Sequence, residues 1–169
     1  GRHASGVNAG GVRTLSRHLA EVPLSLASRE IWLRIEDWVD DDCGFDQNGQ
    51  MRVAENETDV ATLRARQQTM LDNGFTHEEW IDSDEICSMI PAITPSIQGG
   101  LIVRADGSAD PYRTTRAFRF KAQSLGARVI EGITVQSIKR EVSQWLIQTD
   151  QGMFTAPILV NCGGAWADK

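Results

Sequence analysis

No stretch of this 169-residue chain approaches the run of about 18 apolar residues that a membrane-spanning helix requires. The N-terminus also lacks the basic-then-apolar layout of a signal peptide. Together these absences exclude an integral membrane segment and make the cytoplasm the expected location. Cysteine is scarce: Cys43, Cys87 and Cys162 are odd in number, far apart and without a C-x-x-C pair. Neither a disulfide framework nor a zinc site is therefore encoded, and a reducing compartment fits. Basic residues number 17 against 23 acidic ones, for a net charge of −6, and they are scattered, so the electrostatic footprint of a nucleic-acid or anionic-membrane partner is missing. Internal repeats, low-complexity tracts and flexible linkers are lacking too. What is present is a hydrophobic content of 41%, enough for one ordinary core and a second small one.

Residues 1–13, GRHASGVNAGGVR, hold glycines with Ser5 and Asn8, the composition of a tight loop with accessible backbone. Over 23–42 the spacing of Ala27, Ile31, Ile35 and Trp38 predicts one amphipathic helix. The run Asp40, Asp41, Asp42 reads as its solvated end, with a packing or partner role as the alternative, since acids at a helix C-terminus are mildly unfavourable. Asn48-Gly49 is the preferred pair for a two-residue hairpin turn and predicts a hairpin there. Asn56 is placed to cap a helix running to about Asp72, stopped by Asn73-Gly74. A short strand around Trp80, a capped helix from Asp82 closed by Pro91, and a strand over 99–104 follow. Asp110 as N-cap and Pro111 as first helical residue open a helix to Leu125. Beyond it, 128–131 reads as a strand, 134–141, 144–149 and 153–156 as an antiparallel meander, and the apolar run 158–162 as a buried parallel strand breaking into Gly163-Gly164.

Glycine lets backbone N–H groups approach a ligand that a Cβ would hold away. The clusters at 6–11 and 163–164 are therefore the candidate sites, the second because small residues at the carboxyl end of a parallel strand lie where doubly wound folds bind ligands. Ordinary loops are the competing reading for both. His77-Glu78-Glu79 lacks a second histidine at helical spacing and reads as a solvated turn, so no metal ligands are assigned. Trp32, Trp38, Trp80 and Trp145 read as core or sheet-face residues, Cys162 as buried and unreactive, and Asp106 and Asp110 as turn and cap.

The blocks ASGVNAGGVR at 4–13, DGSADPYRTTRAFRFKAQSLGARVIEGITVQSI at 106–138, and WLIQTDQG with APILVNCGGAWAD over 145–168 resemble the FAD-dependent amine and amino-acid oxidoreductases. That family includes glycine oxidase, D-amino-acid oxidase, the β subunit of sarcosine oxidase and the flavin subunits of hydrogen cyanide synthase. The resemblance implies an α/β fold: a partial FAD-binding Rossmann-like domain with a three-stranded antiparallel meander, plus part of a mixed-sheet substrate domain. It implies cofactor-domain parts at 1–42 and 106–169 and a partial substrate domain at 43–105. Ser5, Gly6, Asn8, Gly10 and Gly11 are implied to pass the pyrophosphate and flavin, the Val135 backbone to meet the adenine, and Gly163, Gly164 and Trp166 to pack against the cofactor.

The same resemblance implies an internal piece of a longer flavoenzyme that oxidises the C–N bond of a small amino acid or amine such as sarcosine or glycine. The family's G-x-G-x-x-G turn and ribose-binding acid are expected before residue 1, and no catalytic residue is assigned. The isolated piece is expected to lose FAD, to be inactive and to self-associate. A non-enzymatic α/β module and a piece of an NAD-dependent oxidoreductase are the alternatives.

Overall fold

In the computed structural model, which describes residues 3–167, the chain packs as two compact units, one ending at Ala127 and one beginning at Arg128.

The first unit is organised around a strand too apolar to face water. β4, Gly99–Val103, is buried along its whole length and lies between β2, Gln50–Ala54, and β3, Glu79–Ile81, both antiparallel to it. Alternation along β4 divides its side chains between two cores. Leu101 and Val103 join Leu15, Ala54 and Leu63, the last from helix α3, Glu57–Asp72. Ile102 joins Ile81, Ile97 and Ile86, the last from helix α4, Ser83–Met89. Full burial of one such side chain contributes about 1.5–3 kcal/mol, so cover on both faces sets the position of this sheet.

The helix starts follow from local chemistry. Asn56 accepts a hydrogen bond from the Asp59 N–H at 3.0 Å, Asp82 from Glu85 N–H at 2.9 Å and Asp110 from Arg113 N–H at 2.8 Å. The last of these opens α5, Pro111–Ser124, with proline in its first turn.

The single helix expected over 23–42 is two. α1, Val22–Trp32, ends where Arg34 leaves helical geometry, and α2, Ile35–Val39, restarts at a new angle. The break lets Ile35 and Val39 turn with buried Cys43 onto Ala117 of α5. The three aspartates after it serve packing. Asp40 stops α2 in the left-handed region (φ 56°) and pairs with Lys121 at 2.8 Å, while Asp41 and Asp42 pair with Arg113 at 2.7 and 2.8 Å.

The hairpin expected at Asn48-Gly49 does not form. Gly49 does take positive φ (75°), but the chain before it makes only one bridge, Asp46 to Ser108, and β2 finds its partner in β4. A two-stranded ribbon, β1 (Gly11–Val12) with β5 (Gly107–Ser108), ties the glycine loop to the start of α5.

The second unit is a meander: β6, Val135–Arg140, pairs with β7, Trp145–Thr149, which pairs with β8, Gly152–Ala156. Two expected strands are absent from it. Residues 128–131 and 158–162 are irregular, and Ile158 and Val160 are 77% and 76% exposed. A parallel strand needs a neighbour to accept its ladder of hydrogen bonds, and among the described residues no strand forms a ladder with either segment. Cys162, expected inside, is accordingly exposed.

Candidate cofactor site

Loop 3–12 is folded by its own short polar contacts. The Gly6 and Val7 amides donate to the His3 carbonyl, and Asn8 uses both ends of its side chain, donating to the Ala4 carbonyl and accepting from the Gly10 amide, each at 2.8 Å. The Thr115 hydroxyl donates to the Ser5 carbonyl at 2.9 Å, and the Ala109 amide donates to the Gly10 carbonyl at 2.9 Å, which seats the loop on the first turn of α5.

The two glycines at the loop's end differ. Gly10 has φ 68°, and a Cβ there would run into the Ala109 carbonyl oxygen, so the fold itself demands glycine. At Gly11 a Cβ would meet only the end of the Gln50 side chain, at 3.2 Å. Its bareness therefore answers no backbone contact, and room remains beside it.

That room is a cleft of about 150 Å3, formed by Ser5, Asn8, Gly10 and Gly11 with Trp32 of α1 and Pro111 of α5. Four of the five loop residues singled out from sequence thus come together; Gly6 is not among the residues lining the cleft. Trp32 packs against the core of Ile35, Val39, Cys43 and Ala117, as its core reading expects, and also lines the cleft. Pro111 was legible only as the first residue of a helix, and its place in the cleft wall rests on the contact between that helix and the loop.

Behind the cleft, the segment 14–17 hangs on two buried carboxylates. Asp106 is fully buried and accepts from the amides of Thr14 and Leu15 at 2.8 and 2.9 Å and from the Thr14 hydroxyl at 2.7 Å. It ends the expected turn, its amide donating to the Val103 carbonyl at 3.2 Å, and its side chain serves in addition as an anchor. Glu78 is only 2% exposed, which corrects the solvated turn expected at 77–79. It accepts from the Ser16 amide at 2.9 Å and holds Arg66 through two nitrogens at 2.6 and 2.9 Å, while Arg66 donates to the Arg17 carbonyl at 2.8 Å. Only Glu79 of that trio is at the surface, paired with Arg104 at 3.1 Å. The His77 side chain is buried with neither ring nitrogen hydrogen-bonded, and burial lowers its pKa, opposed by the charge of Glu78. Among the described residues no group of three or more His, Cys, Asp or Glu is placed to hold a metal ion.

In the second unit, Val135, Gly163 and Trp166 line one hollow of about 470 Å3, together with Ile138 and Cys162. Gly164 starts the short 3-10 turn Gly164–Trp166 with φ 56° and is not part of that lining.

Enclosing pockets for whole ligands run to about 300–1,000 Å3. The smaller cleft therefore suits one portion of a dinucleotide cofactor, with glycine backbone on one side and an indole on the other, and the larger apolar hollow suits a flat ring. The residues present fit parts of such a group. A glycine loop seated against a helix start can bring backbone N–H groups close to a phosphate or ring edge of a nucleotide cofactor.

The model of the FAD dependent oxidoreductase (DAO) family matches residues 1–169, and the chain belongs to that family. It is 30% identical over 142 residues to dimethylglycine dehydrogenase of Homo sapiens, covering 83% of this chain and 16% of that protein. It is 29% identical over 126 residues to L-2-hydroxyglutarate dehydrogenase of Escherichia coli K12, covering 74% of this chain and 29% of that protein. The crystal structure of glycine oxidase from Geobacillus kaustophilus superposes with a TM-score of 0.86 at 25% identity, over 97% of this chain and 46% of that one. The chain spans less than half the length of each. The family's cofactor is FAD, and the mixed α/β fold is shared with that glycine oxidase structure. Among the described residues no helix is long and apolar enough to cross a membrane.

Proposed function

We propose that this chain is the cofactor-facing part of a flavoenzyme that oxidises the C–N bond of a small amino acid or amine, of the sarcosine or glycine type. The observation that carries the reading is the gathering of Ser5, Asn8, Gly10 and Gly11 around one cleft closed by Trp32. Bound FAD supplies the hydride acceptor. The chain's own residues position it: Gly11 lets the backbone come close, Trp32 and Pro111 exclude water from one side, and Asp106 and Glu78 hold the segment behind the loop still. Val135, Gly163 and Trp166 offer the second unit's hollow to the adenine end, with Gly6 and Gly164 shaping the turns beside the two sites. Residues 1–42 and 106–169 are assigned to the cofactor domain and 43–105 to the substrate domain. Support for the latter comes from β2, β3 and β4 forming a sheet of their own. The amine reading draws on dimethylglycine dehydrogenase and glycine oxidase. A C–O donor is the second reading, favoured by the likeness to L-2-hydroxyglutarate dehydrogenase.

Anaerobic mixing of the FAD-loaded product of the complete reading frame with sarcosine, glycine and 2-hydroxyglutarate tests this. Bleaching of the flavin by sarcosine or glycine is expected; bleaching by the hydroxy acid alone would overturn the amine reading. The isolated 169-residue chain, by the same proposal, elutes colourless, inactive and larger than a monomer.

A further inference from the structure

The His77 side chain is 7% exposed and that of Glu78 0%, yet no hydrogen bond joins them: Nε2 of the ring lies 4.0 Å from Glu78 Oε1. Neither ring nitrogen has a hydrogen-bond partner. A phenylalanine would fill the same space without burying two polar atoms, which costs free energy when they go unsatisfied. Four charged groups act on the ring. Glu78 beside it and Asp106, just after β4, favour a proton there, while Arg29 of α1 and Arg66 of α3 oppose one. Burial outweighs the attraction and pushes the ring below its ordinary pKa, so it is neutral near pH 7.

Glu78 is meanwhile fully engaged in holding its neighbours. Its Oε1 accepts from the Ser16 amide at 2.9 Å and from Arg66 Nη2 and Nε at 2.6 and 3.2 Å, and its Oε2 accepts from Arg66 Nε at 2.9 Å. An oxygen already shared among three donors admits another only by giving one up. Two of the three belong to a cation that grips both carboxylate oxygens and one to a neutral amide, and charge-assisted bonds are the stronger. The amide is also the donor under strain. Ser16 takes φ 58°, a left-handed conformation unusual for a residue with a Cβ, and its buried hydroxyl has no hydrogen-bond partner.

We propose that His77 and Glu78 form an acid-operated latch on the segment that leads into α1. A proton taken up from solvent makes the ring a cation with a donor on both nitrogens, about 1 Å beyond hydrogen-bond length from Glu78 Oε1. The cation draws that oxygen onto Nε2, Arg66 keeps its hold through Oε2, and the Ser16 amide is let go. Thr14 and Leu15 stay bound to Asp106, so the release begins at Ser16 and loosens the connection to α1, the helix that carries Trp32 of the cleft wall. The device uses buried groups of this chain alone and stands whichever donor the flavoenzyme oxidises.

The test is residue-resolved hydrogen exchange of the 169-residue chain between pH 7.5 and about pH 5, each rate divided by that of the unstructured amide at the same pH. Protection of the Ser16 amide is expected to fall by about tenfold over this range, the equivalent of about one pKa unit between the latched and released states, while Leu15 stays protected. In His77→Phe the Ser16 amide should lose no protection on acidification. The Cε1 proton of the His77 ring, followed by NMR over the same range, gives a check that needs no variant: its titration midpoint should coincide with the Ser16 transition. Unchanged Ser16 protection down to the lowest pH, a Ser16 transition that persists in His77→Phe or departs from the ring's midpoint, or loss of protection at Leu15 together with Ser16 overturns the latch.

Discussion

Asp106→Ala is the most informative single change outside the clefts, because it removes one acceptor from three donors at once. The Thr14 and Leu15 amides and the Thr14 hydroxyl all point at this carboxylate within 2.9 Å. Thr14 is 1% exposed, Leu15 3% and Asp106 itself 0%, so water cannot take over without opening the segment. Each buried donor left unsatisfied costs about 1–3 kcal/mol. The hydroxyl can rotate toward another acceptor, which leaves the two amides to carry the effect, about 2–6 kcal/mol in total. Asp106→Asn should cost less. Its oxygen can take the position that serves both amides, and its NH2 then faces the Thr14 hydroxyl, which accepts; only the charge assistance disappears, about 1–2 kcal/mol. For a chain of this length each kcal/mol moves the thermal midpoint by about 2–4 °C, so at about 4 kcal/mol the alanine variant should melt about 8–16 °C lower and the asparagine variant only a few degrees lower. Thermal unfolding followed by circular dichroism gives the midpoints, and hydrogen exchange at the Leu15 amide shows whether the loss is local. If alanine and asparagine prove equally mild, or if Leu15 exchanges no faster in the alanine variant, the anchoring argument fails.

The two loop glycines should part company. Gly10→Ala strains a positive φ and drives a Cβ into the Ala109 carbonyl, costing stability by more than about 1 kcal/mol, whereas Gly11→Ala should leave the melting curve nearly unchanged and lower FAD affinity in the complete protein; equal melting curves for the two would refute the distinction. His77 supplies a pH dependence. Its folded pKa is depressed by burial, so its contribution to stability is fully present above the unfolded value of about 6.5 and is lost as pH falls toward the folded pKa. Urea midpoints measured from pH 7.5 down to 5 should therefore decline more steeply in the wild type than in His77→Phe, and parallel curves would rule the histidine out.

What was legible in the sequence was what is decided within four residues. The caps Asn56, Asp82 and Asp110 and the proline opening α5 act on their own turn, and the meander's strands are joined by tight turns, so pattern and structure agree. The loop at 3–12 was legible as a loop for the same reason, from its glycines with Ser5 and Asn8, while the roles of its residues toward a cofactor came only from the family resemblance.

The misses are non-local. Asn48-Gly49 bends as its chemistry demands, yet β2 pairs with β4, some fifty residues on, and nothing near the turn announces that partner. The runs 128–131 and 158–162 carry strand composition, but composition cannot supply a neighbour. Glu78 reads as part of a solvated turn and Asp106 as a plain turn residue because burial of a carboxylate is set by donors elsewhere, Arg66 and the 14–16 amides, which no local pattern reveals. Arg34 breaks a helix whose periodicity runs straight through it, because Ile35 and Val39 gain more by reaching Ala117 than by continuing α1.

The Asp106 anchor joins points 92 residues apart in the chain, and the ribbon of β1 and β5 ties the same two stretches together. Everything between them leaves from and returns to one place. Lengthening such an excursion is inexpensive, since doubling a closed loop adds only about 0.6 kcal/mol of closure entropy. The stretch that forms the β2–β4–β3 sheet can therefore be enlarged, shortened or exchanged over evolutionary time while the glycine loop stays seated on α5. The knot at its base also makes the glycine loop dependent on a distant residue during synthesis: residue 14 leaves the ribosome long before its anchor does, and the loop cannot take its final shape until the whole excursion has been made.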